Sequence, residues 1–409
     1  MSVTRAQQPV ATPVVRTRTR LAHPALLLTG IVLVALNMRA CLAAISPMVG
    51  EIQHTFGLSA TASGLITTVP VLFQGVGAPL TPRLTRRFGA ERVVLGAVLV
   101  LGAGVLLRVL PSVAALYAGC VVIGVAIAVL NVSMPGLVKR EFPDKAATMT
   151  GVYSTTMLIG ATLAAGSSVP LEKVLGGGWE ASLGAWSLLA LIAAVAWLPQ
   201  VLRSRQEKAA VAAAPTGRQI EGIWRSPLAW QISLFMGISS LLVYTLVAWM
   251  PTILADHGMD RGEAGLVFAF SNLVQVAGAF LVPLAAGRMS RQRGLAVSMA
   301  TLNAIGITGL LVAPVSGAWV SAAVLGIAQG GSLGLALAFI VLRTGSAAGT
   351  AQLGGMSQAI GYLVAAVGPV GAGALHQVTG NWNLPLILLL VLASVAAAAG
   401  WGAGRDRTL

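Results

Sequence analysis

Charged side chains are scarce in this sequence. Asp, Glu, Lys and Arg together make up 9% of its 409 residues, whereas a soluble domain carries about 25%. So few charges cannot cover a surface that faces water, which excludes a soluble globular class. Hydrophobic residues account for 56% of the chain and recur in runs of roughly 20, the length of one helical membrane crossing. The short alternating segments of a transmembrane barrel are absent, so the sequence predicts an all-α polytopic membrane protein.

Residues that commonly perform chemistry are also few. The chain has 2 cysteines and 4 histidines, with no spacing typical of a disulfide framework or a metal site. It contains no G-x-x-x-x-G-K phosphate loop and no Ser–His–Asp set. We therefore predict that the protein is not an enzyme and uses no cofactor and no metal. The net charge of +14 does not indicate nucleic-acid binding, because the basic residues form no aromatic-interleaved domain.

The apolar runs define twelve predicted spans in two groups of six, separated by the polar stretch RSRQEKAAVAAAPTGRQIEG. Because that stretch is charged and too polar to cross a membrane, it reads as a linker. The spans are predicted at 24–46, 62–80, 92–110, 114–137, 147–168, 180–199, 228–250, 264–286, 295–313, 318–342, 351–373 and 383–402. The predicted organisation is a disordered tail (1–22), an N-terminal bundle (23–199), the linker (200–227), a C-terminal bundle (228–403) and a short tail (404–409).

The basic residues predict the orientation of these spans. With twelve spans, 22 of the 26 Lys and Arg residues fall at the termini and in the loops on one side. The other side holds only Arg108, Lys173 and Arg261. Because cytoplasmic loops carry the excess of Lys and Arg, we expect both termini in the cytoplasm and the protein in the cell (inner) membrane.

The two predicted bundles share a sequence repeat. The segment GLSATASGLITTVPVLFQGVGA (57–78) aligns without a gap with GMDRGEAGLVFAFSNLVQVAGA (258–279), and Gln74 matches Gln275. Both copies cover the approach to an even-numbered span and the span itself, so they run in the same direction. The repeat therefore predicts two parallel six-helix halves.

A single arginine interrupts the first span. Arg39 lies inside LVALNMRACLAAISP (33–47), and a lone cation in hydrocarbon is unfavourable. All 12 acids fall in predicted loops or at span ends, so Arg39 is expected to be the only charged side chain at membrane depth. Either it reaches the outer interface near Pro47, roughly 12 Å along the helix, or it lines a cavity and binds a solute. Its planar guanidinium suits carboxylate, cyanate-like or nitro oxygens through paired hydrogen bonds.

Other polar side chains lie in the middle of predicted spans. Each one alone is more often an interhelical hydrogen bond than a ligand contact. Together, however, they fall on spans 1, 2, 4, 5, 7, 8, 10 and 11, with Asn303 in span 9 as an exception. This distribution predicts a central polar cavity with peripheral supporting helices. Besides Arg39, the predicted substrate-binding residues are Asn37, Asn131, Gln358, Tyr362, Gln74, Gln275, Tyr244 and Gln329, and Tyr153 shares their depth.

The loop after span 2 carries a family resemblance. The stretch RRFGAERVV (86–94) resembles the G-x-L-a-D-R-x-G-R-R/K loop of the major facilitator superfamily. Pro82 and Arg86 stand where the motif has its first Gly and its Asp, so the charge relay is incomplete. The resemblance implies a gating loop formed by Arg87, Gly89 and Arg92.

Several spans are also similar to the cyanate and 2-nitroimidazole transporter family. The similar stretches include LNMRACLAAISP in span 1, NVSMPGLVKREFP after span 4 and MSQAIGYLVAAVGP in span 11. The resemblance covers nearly the whole chain and implies movement of a small anionic or nitro-bearing solute. It supports roles for residues in spans 1, 4 and 11, namely Asn37, Arg39, Asn131, Pro135, Gln358 and Tyr362.

These observations predict a secondary active or facilitative transporter that works by alternating access. The expected substrate is a small anionic or nitro-bearing solute held by Arg39, and the expected partners are that solute and the lipid bilayer, with the protein acting as a monomer. Efflux of amphiphilic drugs by the same fold is an alternative, and a receptor or scaffold without flux is another. The lack of an intramembrane acid leaves three coupling modes open: a solute that carries its own proton, exchange, and facilitated diffusion.

Overall fold

The computed structural model describes residues 24–58, 60–210 and 220–409. The predicted tail 1–22 and the middle of the predicted linker, 211–219, lie outside these ranges. Twelve long helices and no strands are present in the described part of the chain, which confirms the all-α prediction. The helices are α1 Pro24–Ala43, α2 Ala60–Gly77, α3 Ala90–Arg108, α4 Val113–Glu141, α5 Ala146–Leu175, α6 Gly178–Ala210, α7 Pro227–Asp256, α8 Arg261–Arg288, α9 Arg293–Val312, α10 Ala318–Leu342, α11 Ala347–Thr379 and α12 Asn383–Ala403.

Short helical segments connect some of these helices. Most of them had no counterpart among the predicted spans, although span 62–80 includes the turn Ala78–Leu80. Eight-residue amphipathic pieces do not stand out in an apolar sequence. The short α-helices are Val49–Phe56 and Thr81–Phe88, and the single 3-10 turns are Ser46–Met48, Ala78–Leu80, Pro143–Lys145 and Ile223–Arg225. In addition, α6 continues well past the predicted end of span 6 at residue 199.

Eleven of the long helices are apolar enough over their length to cross a membrane. The twelfth, α5, has 30 residues but carries several Thr and Ser side chains that lower its hydropathy. Two of these hydroxyls bond to neighbouring helices: Ser154 donates to the Ala279 carbonyl on α8, and Ser168 donates to the Ala44 carbonyl beyond α1. Because its polar groups have partners inside the bundle, α5 can span the membrane without being uniformly apolar.

The same helix pairs pack in both halves. The contacts α1–α5, α2–α4 and α3–α6 recur as α7–α11, α8–α10 and α9–α12. At equivalent places a glycine allows the close approach: a Cβ on Gly124 would lie 2.5 Å from the Pro70 carbonyl oxygen, and one on Gly326 would lie 2.5 Å from that of Ser271. Small residues at such contacts let membrane helices pack tightly. The predicted parallel repeat is therefore a structural repeat.

The two halves meet through α5 against α8 and α10, and through α11 against α2 and α4. Two of the close approaches lie towards one end of the bundle: a Cβ on Gly151 would lie 3.1 Å from the Phe280 carbonyl oxygen, and one on Gly355 would lie 3.1 Å from Pro82 Cγ. We call this the basic end, because it carries the loops 81–92, 139–146, 288–293 and 343–346. Residues of both halves also share the largest apolar core. The halves are thus joined at the basic end and at mid-depth.

Candidate functional site

The guanidinium of Arg39 points from α1 towards the other half of the protein. Its Cζ atom lies 5.8 Å from the centre of the Tyr244 ring on α7, a cation–π geometry. The half-buried side chain borders a cavity of about 10 Å³, room for about one water molecule. Arg39 therefore faces the interior between the halves and does not reach for the outer interface. The other lining residues are Met236, Ser239, Ser240, Val243 and Tyr244 of α7 and Leu333 and Ala336 of α10.

No carboxylate compensates this charge. Among the described residues, none of the ion pairs involves Arg39. Its electrostatic neighbours are instead the phenol groups of Tyr244, Tyr362 and Tyr153. The buried Tyr244 hydroxyl forms no hydrogen bond of good geometry, but it lies close enough to the guanidinium to interact with it. The cavity is therefore positively charged, with a hydroxyl available beside the charge.

Asn131 on α4 joins the remaining polar groups at this depth. Its amide Nδ2 donates to the Tyr362 hydroxyl at 3.2 Å and to Gln74 Oε1 at 3.4 Å. The Tyr153 hydroxyl donates to Asn131 Oδ1 at 2.9 Å, and Gln358 Nε2 donates to the Asn131 carbonyl at 2.9 Å. All five side chains are buried. The structure thus brings four predicted residues, Gln74, Asn131, Gln358 and Tyr362, into one network that spans both halves.

Gln275 and Gln329 form a separate pair. Gln275 Nε2 on α8 donates to Gln329 Oε1 on α10 at 3.1 Å, and both side chains are buried. This pair is the repeat counterpart of Gln74 and Asn131, which join α2 to α4. Its two amides bond to each other, and no contact joins them to Arg39 in the described structure.

Asn37 faces away from Arg39. Its Nδ2 donates to the Leu33 carbonyl at 2.8 Å and to the Leu189 carbonyl of α6 at 3.1 Å. Residues two apart on an α-helix differ by roughly 200° around its axis, so Asn37 and Arg39 point to different sides of α1 in this structure. The structure uses Asn37 to attach α1 to α6.

Two features of this region were missed from the sequence. Ser239 and Ser240 line the Arg39 cavity. Two adjacent hydroxyls inside the apolar span 7 could have been recognised in the sequence as cavity-lining candidates. Arg108, predicted at the outer end of span 3, is 1% exposed at the end of α3. It donates to the Cys41 carbonyl at 2.6 Å, and its Nε and Nη2 atoms have no partner in the described structure. Arg39 was predicted to be the only charged side chain at membrane depth, and burial alone does not place Arg108 at that depth. Nothing in the sequence indicated, however, that Arg108 and Arg343 are buried in the protein.

The predicted gating loop lies at the basic end. Gly89 separates the helix Thr81–Phe88 from α3 with φ at 86°, a conformation that glycine adopts readily. Arg87 and Arg92 are exposed. The ion pair of this region is instead formed by Glu91, at the start of α3, with Arg140 at the end of α4. Its repeat counterpart is the hydrogen bond from Arg343, at the end of α10, to Gln292, before α9.

Two six-helix bundles related by a parallel repeat, with a polar site where they meet, define the two-bundle class of membrane solute transporter. The sequence profile described as "Major Facilitator Superfamily" matches residues 27–355. The chain belongs to the major facilitator superfamily and is a multi-pass membrane transporter.

Relatives and a solved structure agree with this placement. The chain is 39% identical over 387 residues to the 2-nitroimidazole transporter of Escherichia coli, covering 94% of this chain and 96% of the relative. It is 27% identical over 353 residues to the cyanate transport protein CynX of Escherichia coli, covering 86% and 90%. The proton:xylose symporter XylE superimposes with a TM-score of 0.75 over 94% of this chain and 97% of that chain, at 14% identity. The XylE match shows the fold alone.

Proposed function

We propose that the protein transports a small anionic or nitro-bearing solute by alternating access, with Arg39 as the central anchor. The observation that carries this proposal is a guanidinium at the meeting point of the two halves without an ion-pair partner in the described structure. A cation inside a membrane-spanning bundle and without a counter-ion is unfavourable unless something anionic or strongly dipolar visits it. The names of the relatives, which include cyanate and 2-nitroimidazole, support the same class of solute.

The site supplies contacts from both halves. Arg39 of α1 offers a planar fork for two oxygens, or for a nitrogen and an oxygen, while Tyr244 of α7 offers a hydroxyl beside the charge. A solute held by both would connect α1 to α7. Because a ligand shifts a conformational equilibrium only through its different affinity for the two states, such bridging contacts link binding to movement of the halves. The polar network around Asn131 lies beside the same site through Tyr153 and Tyr362. The assignment of Asn37, Gln275 and Gln329 to the substrate remains a prediction.

We further propose that the basic end faces the cytoplasm in the cell (inner) membrane. The excess of Lys and Arg in the loops at this end supports that orientation. Both termini would then be cytoplasmic, and the described structure would be closed on its cytoplasmic side. The site lies within one chain, which supports a functional monomer.

Transport by purified protein in liposomes tests the proposal. Radiolabelled cyanate and radiolabelled 2-nitroimidazole serve as probes, each added to vesicles that contain the same compound unlabelled, and the Arg39→Gln variant is compared with the native chain. Hydrogen bonds to a charged group contribute about 1.5–3 kcal/mol, so uptake by Arg39→Gln should fall by roughly tenfold or more. Arg405→Gln, which removes the same charge from an exposed position at the basic end, is the matched control and should transport normally.

If Arg39→Gln takes up the probes as fast as the native chain, Arg39 is not the residue that binds the solute. A drug exporter would give a different pattern: overexpression would confer resistance to several amphiphilic compounds, and that resistance would be indifferent to Arg39. A protein without flux would move neither probe in any variant.

A further inference from the structure

The empty site has little with which to solvate its charge. A guanidinium has five N–H donors, whereas the cavity beside Arg39 holds about 10 Å³, roughly one water molecule. Tyr244 contributes its ring face, which is a weaker partner than a carboxylate or a full water shell. When the halves close over the site from both sides, an empty site therefore carries a cation that has no counter-ion among the described residues.

No protein group in the described structure can neutralise this cation. The network around it consists of amides and phenols: Gln74, Asn131, Gln358, Tyr153 and Tyr362. The acids of the described chain lie in loops or near helix ends, as Glu91 and Asp256 do. A proton taken up by any of these side chains would add positive charge. The compensating negative charge must therefore come from the solute.

We propose that the site moves between the two sides of the membrane only when it holds an anion, so that the protein is an anion exchanger. This inference rests on the proposed function and goes beyond it by assigning the coupling mode. One monoanion enters and neutralises Arg39, the halves reorient, and the anion leaves. The site can return only after a second monoanion binds from that side. The result is one-for-one exchange with no net movement of charge.

The charge carried by the site in each step determines how transport responds to a membrane potential. In the loaded step the guanidinium and the monoanion sum to zero, so a membrane potential does no work on the pair as it crosses. In the empty step one positive charge crosses, and burying that charge is the slow event. Exchange should therefore be fast and indifferent to potential, whereas net uptake should be slow.

The experiment compares exchange with net uptake by the full chain in liposomes. Radiolabelled cyanate is added outside vesicles that contain either unlabelled cyanate or gluconate, in chloride-free buffer so that no other small anion can serve as a counter-substrate. Equal potassium on both sides with valinomycin holds the potential at zero, so that build-up of charge cannot limit net uptake. Vesicles without protein give the background. A second series repeats the cyanate-loaded arm at an imposed potassium gradient.

Initial uptake into cyanate-loaded vesicles is expected to exceed uptake into gluconate-loaded vesicles by at least about tenfold, and the imposed potential should not change it. Equal rates in the two arms, or an exchange rate that follows the potential, would overturn the exchange mechanism and leave the proposed transport function standing. Absence of protein-dependent uptake in both arms would instead remove cyanate transport and, with it, the exchange mechanism.

Discussion

At the scale of single residues, the direction of each polar side chain decides its role. Arg39 and Asn37 are two positions apart on α1, yet one faces the other half and the other bonds to the Leu189 carbonyl of α6. The sequence identified both as polar groups in an apolar span. It could not assign them different roles, because it does not show which side of α1 faces the other half of the protein. The burial of Arg108 was missed for a related reason: it lies at the end of α3, and only its hydrogen bond to the Cys41 carbonyl shows that it turns inward.

The two repeat-related amide clusters give a prediction at this scale. Replacing Gln329 alone by Leu leaves the Gln275 amide buried without its partner, which should lower the free energy of unfolding by about 1–3 kcal/mol. Replacing both by Leu should restore most of that stability, because paired apolar replacement is nearly neutral. Melting temperatures in detergent, with uptake of labelled cyanate in liposomes, provide the measurement.

Asn131→Leu is the comparison for this pair. It removes the side-chain partner of three different groups, Gln74, Tyr153 and Tyr362, so no single second substitution should rescue it. Loss of transport in the Gln275→Leu, Gln329→Leu double variant, with stability retained, would contradict the structural role and place these glutamines at the solute.

At the scale of helices, the apolar runs predicted all twelve long helices, although α5 is less apolar than the other eleven. All twelve predicted spans coincide with a long helix, since about 20 apolar residues are needed for each crossing. The amphipathic helix Thr81–Phe88, the continuation of α6 to Ala210 and the pairing of Glu91 with Arg140 were not predicted. These features depend on contacts at the end of the bundle. Side chains there lie outside the hydrocarbon layer, so an apolar run does not mark them in the sequence.

Glycine packing between α2 and α4 gives a prediction at the helix scale. A Cβ on Gly124 would meet the Pro70 carbonyl at 2.5 Å, so Gly124→Ala should force the helices apart and lower the free energy of unfolding by about 1–3 kcal/mol. Gly326→Ala, at the equivalent contact of α8 and α10, should behave alike. Gly96→Ala on α3 is the matched control, because nothing lies within 4 Å of the added atom. Thermal unfolding in detergent measures all three, and equal melting temperatures would refute the packing role.

At the scale of the whole molecule, the parallel repeat is symmetric in packing but not in polarity. Equivalent helices contact equivalent partners in both halves, whereas the arginine of the central site comes from the N-terminal half alone. The C-terminal half supplies Tyr244, Ser239 and Ser240 instead. A solute bound by Arg39 therefore meets two chemically different walls, one cationic and one hydroxylated. The sequence repeat predicted that both halves share one helix arrangement. It did not predict that one wall of the site is cationic and the other hydroxylated, because this depends on the placement of α1 opposite α7.

Ligand-dependent thermal stability tests the central claim most directly, because it reads binding at Arg39 without relying on flux. A ligand at one hundred times its Kd stabilises the folded state by about 2.7 kcal/mol, so saturating cyanate or 2-nitroimidazole should raise the melting temperature of the purified native chain and of Arg405→Gln. Arg39→Gln should fold with at least the native stability when empty, because it lacks the uncompensated charge, and should show no rise with either compound. A rise of the same size in Arg39→Gln would contradict the assignment of Arg39 as the anion-binding residue.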